Sequence, residues 1–495
     1  MTENPNQVQR RAILLQQQGR LEEAIALHRK VLSLRPDYAD GWYNLAYALR
    51  LAGQYEESLE AYARALEHNV SEPEEVHLNR AAILSDHLLR PDQAEAELRK
   101  ALECNPDYLP GLLNLGNLHE ERGEREEALA VYDRIIDTAE QTDPIGLEAL
   151  ARCAHLRPPE SPGDRRLEQL EEACRIAPAD HPVRANLLFS LGRACDRLGL
   201  HERAFEAFEA GNRSARRGTR PYNPAGFERL ISALIDEFDR PVKATKETMA
   251  PPAPLFICGM FRSGSTLIER VLAAHPRIIA GGELDLLPRI VAGPLAPFPA
   301  SMKKVTEARL RELAGTYLER LAALFPETEG IDWITDKRPD NLLFVGLIQR
   351  LFPGARVIQT HRHPMDNGLS VYMQHLDARV APYANRLEDI GHYYARCRRL
   401  TRHWKRCAPE RVFDFDYDAF VRDPEPQLKE LLSFLDLEFD ARCLAFHRQE
   451  ATVKTASYWQ VRQPLYRSAS GRWKHYRQQL APLERALAES GIEID

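Results

Sequence analysis

Over the first 217 residues the apolar positions recur with a helical period, and the pattern itself recurs about every 34 residues. Four segments lie over one another: GRLEEAIALHRKVLSLRP (19–36), GQYEESLEAYARALEHNV (53–70), GEREEALAVYDRIIDTAE (123–140) and LGRACDRLGLHERAFEAFEAG (191–211). Gly19 and Gly53 stand 34 residues apart, as do Ala24 and Ser58, and Ala94 and Ala128. Each segment sets a small residue where two helices would cross closely and a large apolar or aromatic residue four positions on. Such a period predicts helix pairs that cannot bury their apolar faces alone and stack on their neighbours. About six units fit between residues 5 and 217, those around 73–108 and 143–180 being degenerate.

The pattern changes after residue 217. GTRPYNP breaks the last helix, GFERLISALIDEF keeps a helical period, and RPVKATKETMAPPAP reads as a loop ending in prolines. Residues 218–252 are therefore a connecting helix and a Pro-rich linker, and a second domain begins at 253. PLFICGM (254–260) is a continuous apolar run and predicts a buried strand. Ser263, Gly264, Ser265 and Thr266 form a turn, and TLIERVLAAH carries a helix that ends before Pro276. A strand, a Gly/Ser loop and a helix in that order aim backbone N–H groups and the helix dipole at one point, which makes an anion site. The spacing Gly259-x4-Gly264 is that of a nucleotide phosphate loop, but its Lys is missing: Ser265 and Thr266 follow Gly264 directly, and the cation is Arg262. The plainer reading is a tight turn with a surface Arg. A second unit, ARVIQTHRHPMDNGLSVYM (355–373), predicts a strand, then a helix after Pro364. It puts Arg362 at the strand's C-terminal end and Ser370 eight residues on, in the helix. Ligands of open α/β sheets gather at that edge.

These residues carry two resemblances. Trp42, Leu45, Gly53, Tyr62 and Ala65 in one unit, and Leu115, Gly116, Gly123, Ala128 and Tyr132 in another, resemble the tetratricopeptide repeat. That implies an α-solenoid over residues 5–217 with a groove for a protein or peptide. PxxxxGxFRSGSTLIERVLAAHP followed by THRHPMDNGLS resembles the 5′-phosphosulfate loop and the 3′-phosphate strand and helix of sulfotransferases, most of all tyrosylprotein sulfotransferases. The fold implied for residues 253–495 is an α/β P-loop-like sulfotransferase domain with a parallel sheet. The implied donor is 3′-phosphoadenosine 5′-phosphosulfate, with no metal required. Under the resemblance, Arg262, Ser263, Gly264, Ser265 and Thr266 wrap the 5′-phosphosulfate, and Arg362 and Ser370 hold the 3′-phosphate. Glu283, in AGGELDLLPRI, falls at the general base. The family often keeps a second Glu before it, where this chain has Gly282. Lys337, in ITDKRPDN, matches the Lys at the bridging oxygen, and Ser457, in VKTASYWQVRQP, the Ser that assists it. Tyr417 and Arg472 match further donor contacts. The implied acceptor is a hydroxyl, a protein tyrosine in the closest likeness. A small molecule, glycan or lipid acceptor stays open, and so does a repeat scaffold with an inactive domain. A nucleotide kinase is disfavoured by the missing Lys.

Composition narrows the classes. Lys+Arg 66 against Asp+Glu 73 gives a net charge of −7, which speaks against general nucleic-acid or anionic-membrane binding and leaves room for a local basic pocket. No window approaches the ~18 apolar residues of a membrane span, and the N-terminus lacks an apolar signal core. The eight cysteines form no CxxC pair and read as reduced thiols, so a cytoplasmic location is expected. His361 and His363 alternate, but no third ligand stands near them in sequence, so they predict no metal site. The basic, aromatic-laced stretch 392–406 reads as a solvated helix face, or as a contact for an acidic substrate or donor phosphate. A homodimer is left open.

Overall fold

The computed structural model describes residues 4–241, 249–448, 465 and 470–494. The chain divides into two compact units, Met1–Leu156 and Arg157–Asp495.

The first unit is a run of helix pairs: Pro5–Gln17 with Leu21–Leu34, Ala39–Leu51 with Tyr55–Glu67, Pro73–Asp86 with Pro91–Cys104, and Leu109–Arg122 with Arg125–Thr138, followed by Pro144–Leu156. The small residues of the repeat are the crossing points. Ser58 and Ala128 are fully buried, and so are Tyr62 and Tyr132 one turn later. At Gly116 even a Cβ would meet the Tyr132 ring at 2.4 Å, so the two helices approach as closely as a glycine allows. His28 takes the aromatic position in the first pair, where burial pulls it down to about 4 and Gln9 Oε1 lies 3.2 Å from its Nδ1. The repeating glycines have a conformational role. Gly19, Gly53 and Gly123, just past the first helix of their pairs, take φ of +74° to +83°, the left-handed turn that ends a helix and frees the chain to fold back. The pair at 73–104 lacks that glycine. Leu89 stands in its place, 36 residues after Gly53 and 34 before Gly123, and takes the same left-handed conformation with φ +55°. That repeat looks degenerate because its turn is made by an ill-suited residue, not because its helices are missing.

Left-handed backbone costs a branched L-residue about 1–2 kcal/mol, and glycine returns part of this as chain entropy. Leu89→Gly is therefore expected to stabilise the first unit by about 0.5–1 kcal/mol, read as a higher urea midpoint at unchanged slope.

The second unit opens with Arg165–Ile176 and a further helix hairpin, α1 (Val183–Arg197) and α2 (His201–Ala215), and then Pro224–Glu237. Its centre is a five-stranded sheet of β1 (Ala253–Gly259), β2 (Ile278–Ile279), β3 (Trp333–Lys337), β4 (Arg356–His361) and β5 (Val412–Asp416) in the order β2-β3-β1-β4-β5. Every pairing is parallel. β1 is buried along its whole length, as its unbroken apolar run predicts for a central parallel strand. Its side chains alternate between two cores. Phe256 and Cys258 join Ile334, Val357, Tyr317 and Trp404 on one face. Leu255 and Ile257 join Ile358, Phe415 and the helix α3 (Ser265–Ala273) on the other. Pro224–Glu237 sends Ile231 and Leu234 into the first of these cores. Two more helices matter below: α4 (Pro364–Tyr372) and α5 (Leu387–Cys407). On α5, Tyr394, Cys397, Leu400 and Trp404 are buried. Its basic face is paired within the unit, Arg399 with Glu228 at 2.6 Å and Arg406 with Asp239 at 3.2 Å.

Candidate active site

Because the sheet is wholly parallel, the C-terminal ends of β1, β3, β4 and β5 open on one edge. Gly259, Lys337, His361 and Asp416 end those strands there. The register pairs Gly259 with Thr360 and Ile257 with Lys337. The loop after β1 is cut close to its neighbours. A Cβ on Gly259 would meet Thr360 Oγ1 at 2.4 Å and its carbonyl at 2.5 Å, and one on Gly264 (φ +105°) would meet the Tyr417 ring at 2.7 Å. Ser263 Oγ donates to the Met260 carbonyl at 2.6 Å and lies 2.6 Å from Thr360 Oγ1. Between them Arg262 takes φ +68°, a left-handed backbone that a non-glycine residue holds only when its surroundings impose it. The loop leads into α3, whose cap residue Gly264 offers no side-chain acceptor to the first amides. Those N–H groups, the dipole and Arg262 form a cradle for an anionic oxygen cluster.

The second motif closes on the first. Arg262 Nε donates to Ser370 Oγ on α4 at 3.0 Å, and Asn367 Nδ2 donates to the Phe261 carbonyl at 3.1 Å. Arg362 is buried, with its guanidinium 4.7 Å over the Tyr417 ring, and its carbonyl accepts from Tyr394 OH at 2.8 Å. The His363 amide donates to Asp418 Oδ2 at 2.7 Å. Four residues from three distant segments, Arg262, Arg362, Ser370 and Tyr417, thus share one edge with Gly264. Two guanidiniums, hydroxyls and N-terminal amides suit a ligand with two phosphate-type groups.

Beside this cradle sits a charge pair. Lys337, at the end of β3, is fully buried (0% exposed) and donates through Nζ to Glu283 Oε1 at 2.7 Å, while the Glu283 side chain keeps 36% exposure. The cation is held in the protein and the carboxylate reaches toward solvent. The Lys337 amide donates to the Gly282 carbonyl at 2.9 Å, which ties the Glu283 loop to β3. Arg472 stands on a turn anchored to α4 through Asp366, and it makes an ion pair with Asp196. Ser265 and Thr266 are buried at the start of α3. Ser457 lies outside the described residues.

The two parts of the chain match two known families. Residues 15–83 and 90–153 match the tetratricopeptide repeat, and residues 254–441 match the sulfotransferase family. Residues 254–441 are a sulfotransferase domain. An uncharacterized protein of Aquifex aeolicus is 28% identical over 463 residues, 90% of this chain, and the chain spans 59% of that relative's length. A putative protein-tyrosine sulfotransferase of Caenorhabditis briggsae is 24% identical over 199 residues, 39% of this chain and 69% of its own. The sulfotransferase domain of the Synechococcus PCC 7002 olefin synthase aligns with 51% of this chain and 99% of its own, at 20% identity and a TM-score of 0.36. The sulfotransferase family implies 3′-phosphoadenosine 5′-phosphosulfate as the sulfuryl donor. Among the described residues no three His, Cys, Asp or Glu side chains gather as a metal site, and no helix is long and apolar enough to cross a membrane.

Two carboxyls of the sulfotransferase domain escape a reading of the sequence. Glu269 lies inside the apolar helix α3, is buried, and accepts through Oε1 from Thr335 Oγ1 at 2.6 Å and from the Gly282 amide at 3.1 Å. Burial raises its pKa, against the opposing charge of Lys337. It braces the peptide that precedes Glu283. The only sequence signal is a charged residue in the middle of a helix flanked by strands. Asp336, next to Lys337 and facing the opposite core, is fully buried and accepts from Tyr317 OH at 2.8 Å and Asn341 Nδ2 at 3.0 Å.

Burial raises Asp336 from the usual 3.8 to about 7. Between those values the folded chain holds a proton that the unfolded chain has released, so stability falls as pH rises from about 4 to about 7 and the loss is complete above it. Asp336→Asn should flatten that part of the profile, checked by thermal unfolding at pH 5 and pH 8.

Proposed function

We propose that the chain transfers a sulfuryl group from 3′-phosphoadenosine 5′-phosphosulfate to a hydroxyl acceptor, and that this acceptor is a protein tyrosine. The observation that carries the reading is the 2.7 Å contact between Lys337 Nζ and Glu283 Oε1 beside the anion cradle. A sulfuryl donor supplies an electrophilic sulfur and a phosphate leaving group, and in-line displacement puts charge on the leaving oxygen while the acceptor loses a proton. Lys337, fully buried, is a cation for the leaving side. Glu283, partly exposed, is a carboxylate for the acceptor side. Arg262, Ser263, Gly264, Ser265 and Thr266 bind the 5′-group, and Arg362, Ser370, Tyr417 and Arg472 bind the rest of the nucleotide. A phenol, with a pKa of about 10, needs such a base at neutral pH. The names of the protein-tyrosine sulfotransferase relatives and the presence of repeats, which commonly hold polypeptides, support the tyrosine assignment.

Calorimetry with 3′-phosphoadenosine 5′-phosphate tests the cradle. Each charge-assisted contact contributes about 1.5–3 kcal/mol, so Arg262→Ala and Arg362→Ala should each weaken binding roughly ten- to hundredfold. Unchanged affinity in both variants refutes the donor assignment.

Glu283→Gln keeps the shape and removes the base. Turnover of tyrosine peptides, followed by mass spectrometry of the added sulfuryl group, should fall about 10²–10⁴-fold with donor-product affinity little changed. Wild-type turnover in that variant would place the base elsewhere.

A further inference from the structure

The helix hairpin α1–α2 has the sequence of the last repeat, yet it belongs to the same compact unit as the sulfotransferase domain. Among its partners are α4, which carries Ser370, and the short segment 472–476 that packs on α4. At the C-terminal end of α4 the Tyr372 carbonyl, one of the acceptors a helix end leaves without an internal partner, accepts from Asn212 Nδ2 of α2 at 2.8 Å. Asn212 is only 1% exposed, and its Nδ2 also donates to the Phe208 carbonyl. The Phe205 ring stacks on the Tyr372 ring, 5.5 Å between centroids and 24° between planes. At the N-terminal end of α4, Asp366 accepts from the Trp473 amide at 3.0 Å and from the Gly471 amide, and the Trp473 ring stacks on His363 at 5.7 Å. The segment that does this is itself gripped by the hairpin. Asp196 Oδ2 accepts from Arg472, Asp196 Oδ1 accepts from Tyr476 OH, and His201 stacks on His475 at 4.8 Å. Asp196 keeps only 13% of its side chain exposed, whereas Arg472 keeps 39%, so the carboxylate fixes one edge of the guanidinium and leaves another accessible.

Both ends of α4 are thus held, directly or through one short segment, by polar side chains of a repeat hairpin. We propose that this hairpin is a working part of the donor site: Asp196 and Asn212 are positioning residues that fix the 3′-phosphate half of the cradle, Asp196 through Arg472 and Asn212 through the helix that carries Ser370. The inference rests on the donor reading given above and assigns a role to residues outside the family match. Neither residue needs to touch the ligand. A phosphate gains from a cation and a hydroxyl only if they are already in place, because ordering them on binding offsets the contact.

The test compares two nucleotides on the full chain. 3′-Phosphoadenosine 5′-phosphate engages both halves of the cradle, and adenosine 5′-phosphate engages only the loop after β1. Wild type should prefer the first. Asp196→Asn and Asn212→Ala should each weaken 3′-phosphoadenosine 5′-phosphate about three- to tenfold and leave adenosine 5′-phosphate unchanged, and Asp196→Glu should restore part of the preference. General destabilisation would weaken both nucleotides together, so equal losses for both, or no loss for either, overturns the proposal. Should Asn212→Ala not fold, Asp196→Asn at the more open contact decides alone. A wild type that shows no preference between the nucleotides refutes the donor reading itself, a result separate from a preference that the two substitutions fail to reduce.

Discussion

The site depends on one pairing, that of β1 with β4. These strands are separated by about a hundred residues, and their loops would have no reason to meet without the parallel ladder that sets Cys258 against Gln359 and Gly259 against Thr360. Parallel pairing sends both chains out of the sheet on the same side. The register then decides which atoms touch there. Gly259 is packed against Thr360 so tightly that no Cβ fits, Ser263 lies on the same threonine, and two residues of α4 reach the loop, Ser370 to Arg262 and Asn367 to the Phe261 carbonyl. A slip of one residue would turn the alternate side chains of β4 into the wrong core and separate Arg262 from Ser370. The burial of Leu255, Phe256, Ile257 and Cys258 on two different faces therefore fixes the geometry of the polar edge.

The second constraint is electrostatic. A buried ammonium is costly unless a partner is at hand. Lys337 has Glu283 at 2.7 Å, and it lies close enough to Glu269 to oppose the upward shift that burial gives that carboxyl. The two carboxyls differ in their surroundings. Glu269 is enclosed and bound to Thr335 and Gly282, so it is suited to hold the loop. Glu283 is part-exposed and bound to one cation, so its carboxylate stays open to solvent. That division explains how a chain with Gly282 in place of a second glutamate still surrounds Lys337 with two carboxyls: one comes from α3 and not from the adjacent position.

Much of this was legible in the sequence, for identifiable reasons. Glycines at a 34-residue spacing mark left-handed helix ends, and small residues four positions before aromatic ones mark crossings, so Gly53, Ser58 and Tyr62 point to the helix pair that forms. The apolar run at 254–260 and the Gly/Ser turn after it point to the buried strand β1 and the turn into α3. What stayed hidden has no local pattern. Leu89 occupies a glycine's conformation and carries no glycine signal. Glu269 sits where an apolar residue would satisfy the helix period. Asp196 and Asn212 have no signature at all, because their partners lie 276 and 160 residues further along the chain.

The position of the unit boundary follows from the same distinction. Periodicity groups helices by their sequence, and on that criterion α1 and α2 belong with the helices that precede residue 157. Packing groups them by what they bury, and on that criterion they belong with the sheet, since Asn212, Phe205 and Asp196 spend their contacts on Tyr372, Tyr476 and Arg472. A repeat hairpin has two apolar faces, and an array must cover the outer face of its last member. Here the hairpin packs on the sulfotransferase domain through aromatic stacking and a buried hydrogen bond. The aromatic residues Phe189, Phe205 and Phe208, which the repeat pattern alone would assign to packing within the array, divide accordingly. Phe208 fills the space above Gly192 inside the hairpin, while Phe205 and Phe189 lie on Tyr372 and His375 of the domain.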